Sequence, residues 1–389
     1  MSTPAPTMTS DGRGARVTHL RHLLTLTQGQ LAEKADLLQP TLSAIERGRT
    51  PLTEGIAFRI CRATGTPMEF FDFGAPAYGS TEIHFRKSKR VSARGRDFVI
   101  QAFKEIERVA EQIDTAPLRL RRTKLSLAEE ADIVSDADIE AFAAEVRRES
   151  GVDGDAPVRN VMRTMERAGI GIAPLEVPHG TDNEALLHGH CGMSRWGDES
   201  SRAIVTYVAG MPGDRLRFTL AHELGHILMH TRRVVPDEEQ REREADRFAG
   251  AFLVPPQVAE RSISETLTLH GFMRLKAQFG ISIQALIMRG RKSGLISQQR
   301  QRSLMIQVSS RGWRTQEPVK VTCETPMLLW TQLSAIHGGN PYFPASTAYG
   351  VPVDLLKQWV PERKSKEPST RQQTEASIGT VTALNTRRR

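Results

Sequence analysis

The ten residues AHELGHILMH, 221–230, set three histidines and a glutamate into an otherwise apolar run. Residues four apart share one face of a helix. His222, His226 and His230 therefore form a single stripe, with Glu223 about 100° round from His222. Two neutral imidazoles spaced this way can hold a divalent metal. A glutamate directly after the first can take a proton from a metal-activated water. The flanks RFTL and ILM are apolar, which places the motif on a buried helix. Gly225 in the middle of that helix costs about 1 kcal/mol against alanine, so something is expected to approach its backbone closely.

Catalytic zinc sites use three protein ligands and leave one position open. Two histidines are one donor short. Downstream, REREADRFAGAFLVPP (241–256) repeats Ala245, Phe248, Ala249 and Phe252 at helical spacing and stops at Pro255. Glu242 and Glu244 both open this helix. Glu242 is the favoured third ligand, because Asp246 lies one turn on and can receive the N–H of a ligating histidine. Glu244 is the alternative. His230 is expected beside the site, not as a ligand.

The elements that must position these groups belong to a chain of 389 residues with 53 Lys+Arg against 45 Asp+Glu, a formal charge of +8. That length suits two or three domains. The basic balance suggests a polyanionic partner. No apolar run approaches the ~20 residues of a membrane span, and the N-terminus lacks an apolar signal core. The three cysteines, Cys61, Cys191 and Cys323, form no C-x-x-C pair, so neither a disulfide framework nor a cysteine zinc site is expected. These features together predict a cytoplasmic protein. HGHC, 188–191, is read as part of a hairpin leading into RAIVTYV.

At the front, ARVTHLRHLLTL carries Val17, Leu20, Leu23 and Leu24 on one helical face. Thr27 and Gln30 make a capping box for a helix burying Leu31, Ala32 and Ala35. A second short helix runs from Gln39 to Arg47 and stops at Gly48. Two short helices round a tight turn form a helix-turn-helix whose second helix enters the DNA major groove. Gln39, Thr41 and Ser43, with Gln28, are the candidates for reaching bases. Arg47, Arg49 and Arg59 would meet phosphates.

LTQGQLAEKADLLQPTLSAIERGRTPL (26–52) closely resembles the repressor-type helix-turn-helix family, the XRE (Cro-type) domains. Asp36 stands where that family usually has glycine in the turn, and aspartate tolerates left-handed backbone. RLRFTLAHELGHILMH followed by EREADRFAGAFLVP resembles the ImmA/IrrE metallo-endopeptidases, a likeness running from about Val158 to Ile296. The resemblance implies a small α+β zincin-like domain with Zn2+ on His222, His226 and Glu242, and Glu223 as general base. Asp246 stands where that family often has asparagine. The fold class expected is mainly α, with an N-terminal all-α helix-turn-helix domain and that small α+β peptidase domain.

The expected organisation is a disordered arm (1–14), a helix-turn-helix domain (15–75), a basic linker and helical connector (76–150), the peptidase domain (151–300), a small α/β extension (301–361) and a disordered basic tail (362–389). The connector repeats Val99, Phe103, Ile106, Ala110 and Ile113 at 4-3-4-3 spacing, a short seam able to pair two chains in a homodimer. Residues 268–296 read as a helical hairpin closing the peptidase core. RAIVTYV is expected along the cleft as an edge strand for an extended substrate. The expected function is a DNA-operator-binding regulator that cleaves itself or another helix-turn-helix repressor. The other reading is a regulator whose peptidase-like domain senses a ligand or partner without cutting.

Overall fold

The helical periodicities of the sequence become sixteen α-helices around one four-stranded sheet in a computed structural model, which describes residues 10–74, 84–87, 92–114, 123–133, 135–177, 187, 190–195 and 203–362. Helices α1 (Ser10–Leu23), α2 (Gln28–Lys34), α3 (Gln39–Glu46) and α4 (Glu54–Thr64) build the N-terminal bundle. The Thr27–Gln30 capping box starts α2. Gly48, at φ 68°, ends the α3 turn, and Asp36 takes φ 53° in the turn before it. Helix α1 begins inside the segment expected to be a disordered arm. The reason is packing: a Cβ on Gly14 would lie 2.4 Å from the Ile45 carbonyl oxygen, so α1 lies flush on the end of α3.

Strand β1 (His84–Lys87) falls within the segment read as linker. Helix α5 (Ala93–Asp114) follows. Its five seam residues, Val99, Phe103, Ile106, Ala110 and Ile113, are all buried within this one chain. They share a core with α1–α4 and with the last three helices. The seam is therefore not available to pair two chains, because apolar area already removed from water on folding offers nothing further to a partner.

Next come α6 (Asp136–Glu149), α7 (Val161–Arg167), β2 (Gly171–Leu175), β3 (His190–Arg195) and β4 (Ile204–Val208). The sheet order is β1-β3-β4-β2, with β2 parallel to β4 and the other pairs antiparallel. β4 is thus an inner strand, which overturns the expectation that RAIVTYV is an edge. Its Ile204–Thr206 stretch is fully buried, and both sides of its ladder are filled.

Helices α8 (Gly213–His230), α9 (Glu238–Leu253) and α10 (Pro256–Ser262) carry the candidate site onward. The hairpin α11 (Leu269–Phe279) and α12 (Ile283–Lys292), with α13 (Gln298–Ser310), closes the same core. Helices α14 (Leu328–His337), α15 (Tyr342–Tyr349) and α16 (Val353–Trp359) complete the chain. Among the described residues the extension contains no strand, so it is helical and not α/β. It is also not peripheral: Leu333, Tyr349 and Trp359 share the core of α5 and the N-terminal bundle.

Candidate metal centre

Leu220, Ala221, Leu224 and Leu228 sink α8 into the core, together with the whole histidine stripe. Helix α9 packs back along it, its N-terminus capped by Asp237 with Glu238 and Glu239 in the first turn, where acidic groups meet the positive end of the helix dipole. A Cβ on Gly225 would stand 3.0 Å from Phe248 Cδ1. The close approach expected at Gly225 is therefore the aromatic ring of α9, and it brings the two helices near enough for their polar groups to meet.

Three donor atoms converge between them. The Nε2 atoms of His222 and His226 lie 3.0 Å apart. Glu242 Oε2 is 3.4 Å from His222 Nε2, and Oε1 is 3.2 Å from His226 Nε2. Tetrahedral zinc with bonds of ~2.0–2.1 Å spaces its ligand atoms roughly 3.3 Å apart. The Nε2–Nε2 spacing and each nitrogen's spacing to the carboxylate oxygen it faces are close to that value, and the two-imidazole, one-carboxylate donor set suits Zn2+.

The outer nitrogens explain why the inner ones are lone pairs. His222 Nδ1 faces Asp246 Oδ1 at 3.0 Å, so its proton sits there. His230 Nε2 lies 3.1 Å from Glu244 Oε2, and its Nδ1 lies 3.0 Å from His226 Nδ1. A carboxylate only accepts, so His230 donates from Nε2 and accepts at Nδ1. His226 must then donate from Nδ1, which leaves its Nε2 as the acceptor facing Glu242. Burial drives the imidazoles of His226 and His230 down to about 4, toward the neutral form that ligates. Burial also disfavours charge on Glu244. Hydrogen bonds from His230, Arg233 (3.0 Å) and Gln240 (2.9 Å) outweigh it and hold that carboxyl at about 2.

Glu223 is buried on the flank of this triangle, against β3. Ser194 Oγ donates to its Oε2 at 2.5 Å. A Cβ on Gly192 would lie 2.7 Å from Glu223 Oε1 and 2.7 Å from Thr219 Cγ2. The carboxylate thus occupies the space a side chain at 192 would need. Neither Ser194 nor Gly192 stands out in the sequence, because nothing local in GMSR says which helix the strand will face. A cavity of about 1070 Å³ reaches this region at Thr219 and Asp246, and basic groups such as Arg215, Arg247 and Lys292 line it. Of the HGHC segment, His188 and Gly189 lie outside the described residues.

In the N-terminal bundle, Gln39 is exposed and Thr41 half-buried, while Ser43 is 7% exposed and faces the core. Ser43 is therefore turned away from any base: it sits beside Leu42 and Ile45 on the inner face. Arg47 and Arg49 are exposed, and Arg59 lies 3.5 Å from Asp36. Glu46 accepts from Gln28 Nε2 (2.7 Å) and from Arg21 Nε (2.7 Å), and Gln39 Nε2 donates to Gln28 Oε1 (2.9 Å). The network orients the Gln39 amide through one of its N–H groups. Leu38, at the N-cap of α3, is 75% exposed. It is an exposed apolar side chain at the start of α3 that sequence patterning passes over.

Comparison with family models places a helix-turn-helix domain at residues 19–71 and an IrrE N-terminal-like domain at residues 171–290. No curated protein matches the chain. The chain therefore joins a DNA-binding domain of the XRE type to an ImmA/IrrE-like peptidase domain. No helix among the described residues is long and apolar enough to cross a membrane.

Proposed function

We propose that this chain is a DNA-operator-binding transcription regulator whose second domain is a zinc-dependent endopeptidase, switching gene expression by cleaving itself or another regulator. The observation that carries the reading is the converging triangle of His222, His226 and Glu242 with Glu223 on its flank. In this reading His222, His226 and Glu242 hold the metal. Bound there, zinc supplies Lewis acidity and lowers the pKa of a water.

The remaining work falls to side chains. Glu223 takes the proton of the attacking water and passes it to the leaving amine nitrogen. Ser194 keeps the Glu223 carboxylate in one orientation through its hydrogen bond. Asp246 fixes His222, and the His230–Glu244–Arg233 chain fixes His226, so both inner nitrogens stay lone pairs. Gln39 and Thr41 meet bases, Gln28 sets the Gln39 amide, and Arg47 and Arg49 meet phosphates.

A promoter reporter compares wild type with Glu223→Gln in cells, with zinc content and DNA affinity measured on the same proteins. The variant keeps shape but accepts no proton. Lost induction with metal and DNA binding intact is the result expected. Unchanged induction would leave a regulator that senses without cutting.

A further inference from the structure

A cavity of about 760 Å³ lies where three parts of the chain meet. Leu24, just past α1, and Thr64 and Gly65, at the end of α4, bring the N-terminal bundle to it. Glu176, just past β2, and Tyr207 on β4 bring the sheet. Asp354 and Leu355 bring α16. The volume suits a small organic molecule, since such pockets span roughly 300–1,000 Å³. The cavity shares Met211 and Cys323 with the one beside the metal centre, and there the Cys323 thiol donates to the Met211 carbonyl at 3.4 Å.

Charge decides what fits. The lining carboxylates are Glu176, Glu324, Asp354 and Glu362. Glu324 is already engaged: it accepts from the Val161 and Met162 amides at 3.0 and 2.7 Å and from Arg217. Glu176, Asp354 and Glu362 are exposed and have no ion-pair partner among the described residues. The lining cation Lys357 lies over the Tyr342 ring at 5.9 Å. The free charge is thus negative. Among the described residues, ligand atoms converge in a threesome only at His222, His226 and Glu242, so the carboxylates here are too spread to enclose a metal ion.

Tyr207 points to a ligand independently. It is 8% exposed and lines the cavity beside Pro174, its partner on β2. Its hydroxyl has no hydrogen-bond partner among the described residues, whereas a buried tyrosine usually finds one. Burial pushes its pKa up, so it stays a neutral phenol whose oxygen can accept from an N–H. Leu24, Met211, Leu216 and Leu355 supply apolar wall.

We propose that this cavity binds a small organic cation, an amine or guanidine, with its N–H groups on the Tyr207 hydroxyl and on the carboxylates of Glu176 and Asp354, and its apolar body against the leucines. Bound there, it touches the N-terminal bundle, the sheet and α16 at once and holds them together. The site is distinct from the metal centre and needs no hydrolysis, so it stands whether or not the chain cuts peptides.

The test is isothermal titration calorimetry on the full chain. Phenethylammonium, agmatine and spermidine are the probes, and phenethyl alcohol is the uncharged control. At least one cation is expected to bind saturably and the alcohol not at all. Glu176→Gln/Asp354→Asn and Tyr207→Phe should each weaken that cation by roughly tenfold or more, as for lost hydrogen bonds to a charged group. Binding by none of the three cations, equal binding by the alcohol, or unchanged affinity in both variants overturns the proposal. The chain continues from Glu362 into Arg363 and Lys364. Arg363→Gln/Lys364→Gln is expected to bind the cation as wild type does, and a gain of roughly tenfold would make the chain's own tail the occupant and overturn a free ligand. Amide exchange on wild type locates the site without any substitution. A saturating cation should slow exchange at 64–66 and 353–358, and unchanged exchange in both segments overturns the proposal.

Discussion

Glu242 and Glu244 differ by two positions and reach different histidines, which makes them separable by experiment. Glu242→Ala, His222→Ala and His226→Ala are each expected to abolish zinc binding, read as metal per chain after gel filtration. Glu244→Gln is expected to keep the metal and to weaken it by no more than the roughly 10–100-fold cost of disturbing a direct partner of a ligating histidine, since Glu244 reaches His226 only through His230. Zinc retained by Glu242→Ala and lost by Glu244→Gln would reverse the assignment. Gly192→Ala is a finer probe. The added methyl displaces the Glu223 carboxylate, so hydrolysis should fall while zinc content holds, and a wild-type rate would show that the base tolerates the shift. The imidazole stripe is legible in sequence because four-residue spacing has one meaning on a helix. The choice between the two glutamates rests on Asp246 alone there, since both lie in the same charged turn.

Helix α5 shows where periodicity stops short. Its 4-3-4-3 pattern identifies which residues are buried but not what covers them, and here the cover is the chain's own N-terminal bundle and C-terminal helices. Phe103→Ala should therefore cost roughly 3–5 kcal/mol of stability, measured by denaturant unfolding, with no change of oligomeric state at concentrations where wild type is stable. A variant of unchanged stability that shifts only the association state would restore the seam as an interface. β1 and the helical extension were less legible for related reasons. Four residues of a basic segment give too short an alternation to stand out, and the extension's few apolar residues make sense only against α5, far away in sequence.

Across the whole molecule, buried polar groups join the DNA-binding half to the rest. Glu105 lies at 2.5 Å from Arg16, 2.7 Å from Arg108 and 3.2 Å from His19, and Arg108 also donates to the Tyr349 carbonyl. Burial is the main cause that drives His19 down to about 3, with Arg16, Arg108 and Lys104 acting in the same sense and Glu105 against them. Its folded pKa thus lies below the ~6.5 of an unfolded histidine. The unfolded chain binds the extra proton between those values, so stability is fully present above about pH 6.5 and falls as pH drops toward 3. The expected slope is about 1.4 kcal/mol per pH unit from this one group. Unfolding free energies of wild type and His19→Gln across that window test it: the variant should lose this part of the slope, and identical pH profiles would remove His19 from the account.

A helix-turn-helix domain and an IrrE-like domain meet in the same chain, and the proposal that joins them is catalytic. Zinc-loaded wild type and Glu223→Gln are incubated with a helix-turn-helix repressor substrate and alone, with metal content and intact mass followed on the same samples. About one zinc per chain is expected in both proteins. Cleavage products are expected from wild type, with the rate down by roughly 10²–10⁴-fold in the variant, as for loss of a general base. Cleavage at the wild-type rate by Glu223→Gln, or zinc-loaded wild type that yields no product from either substrate, would contradict the account.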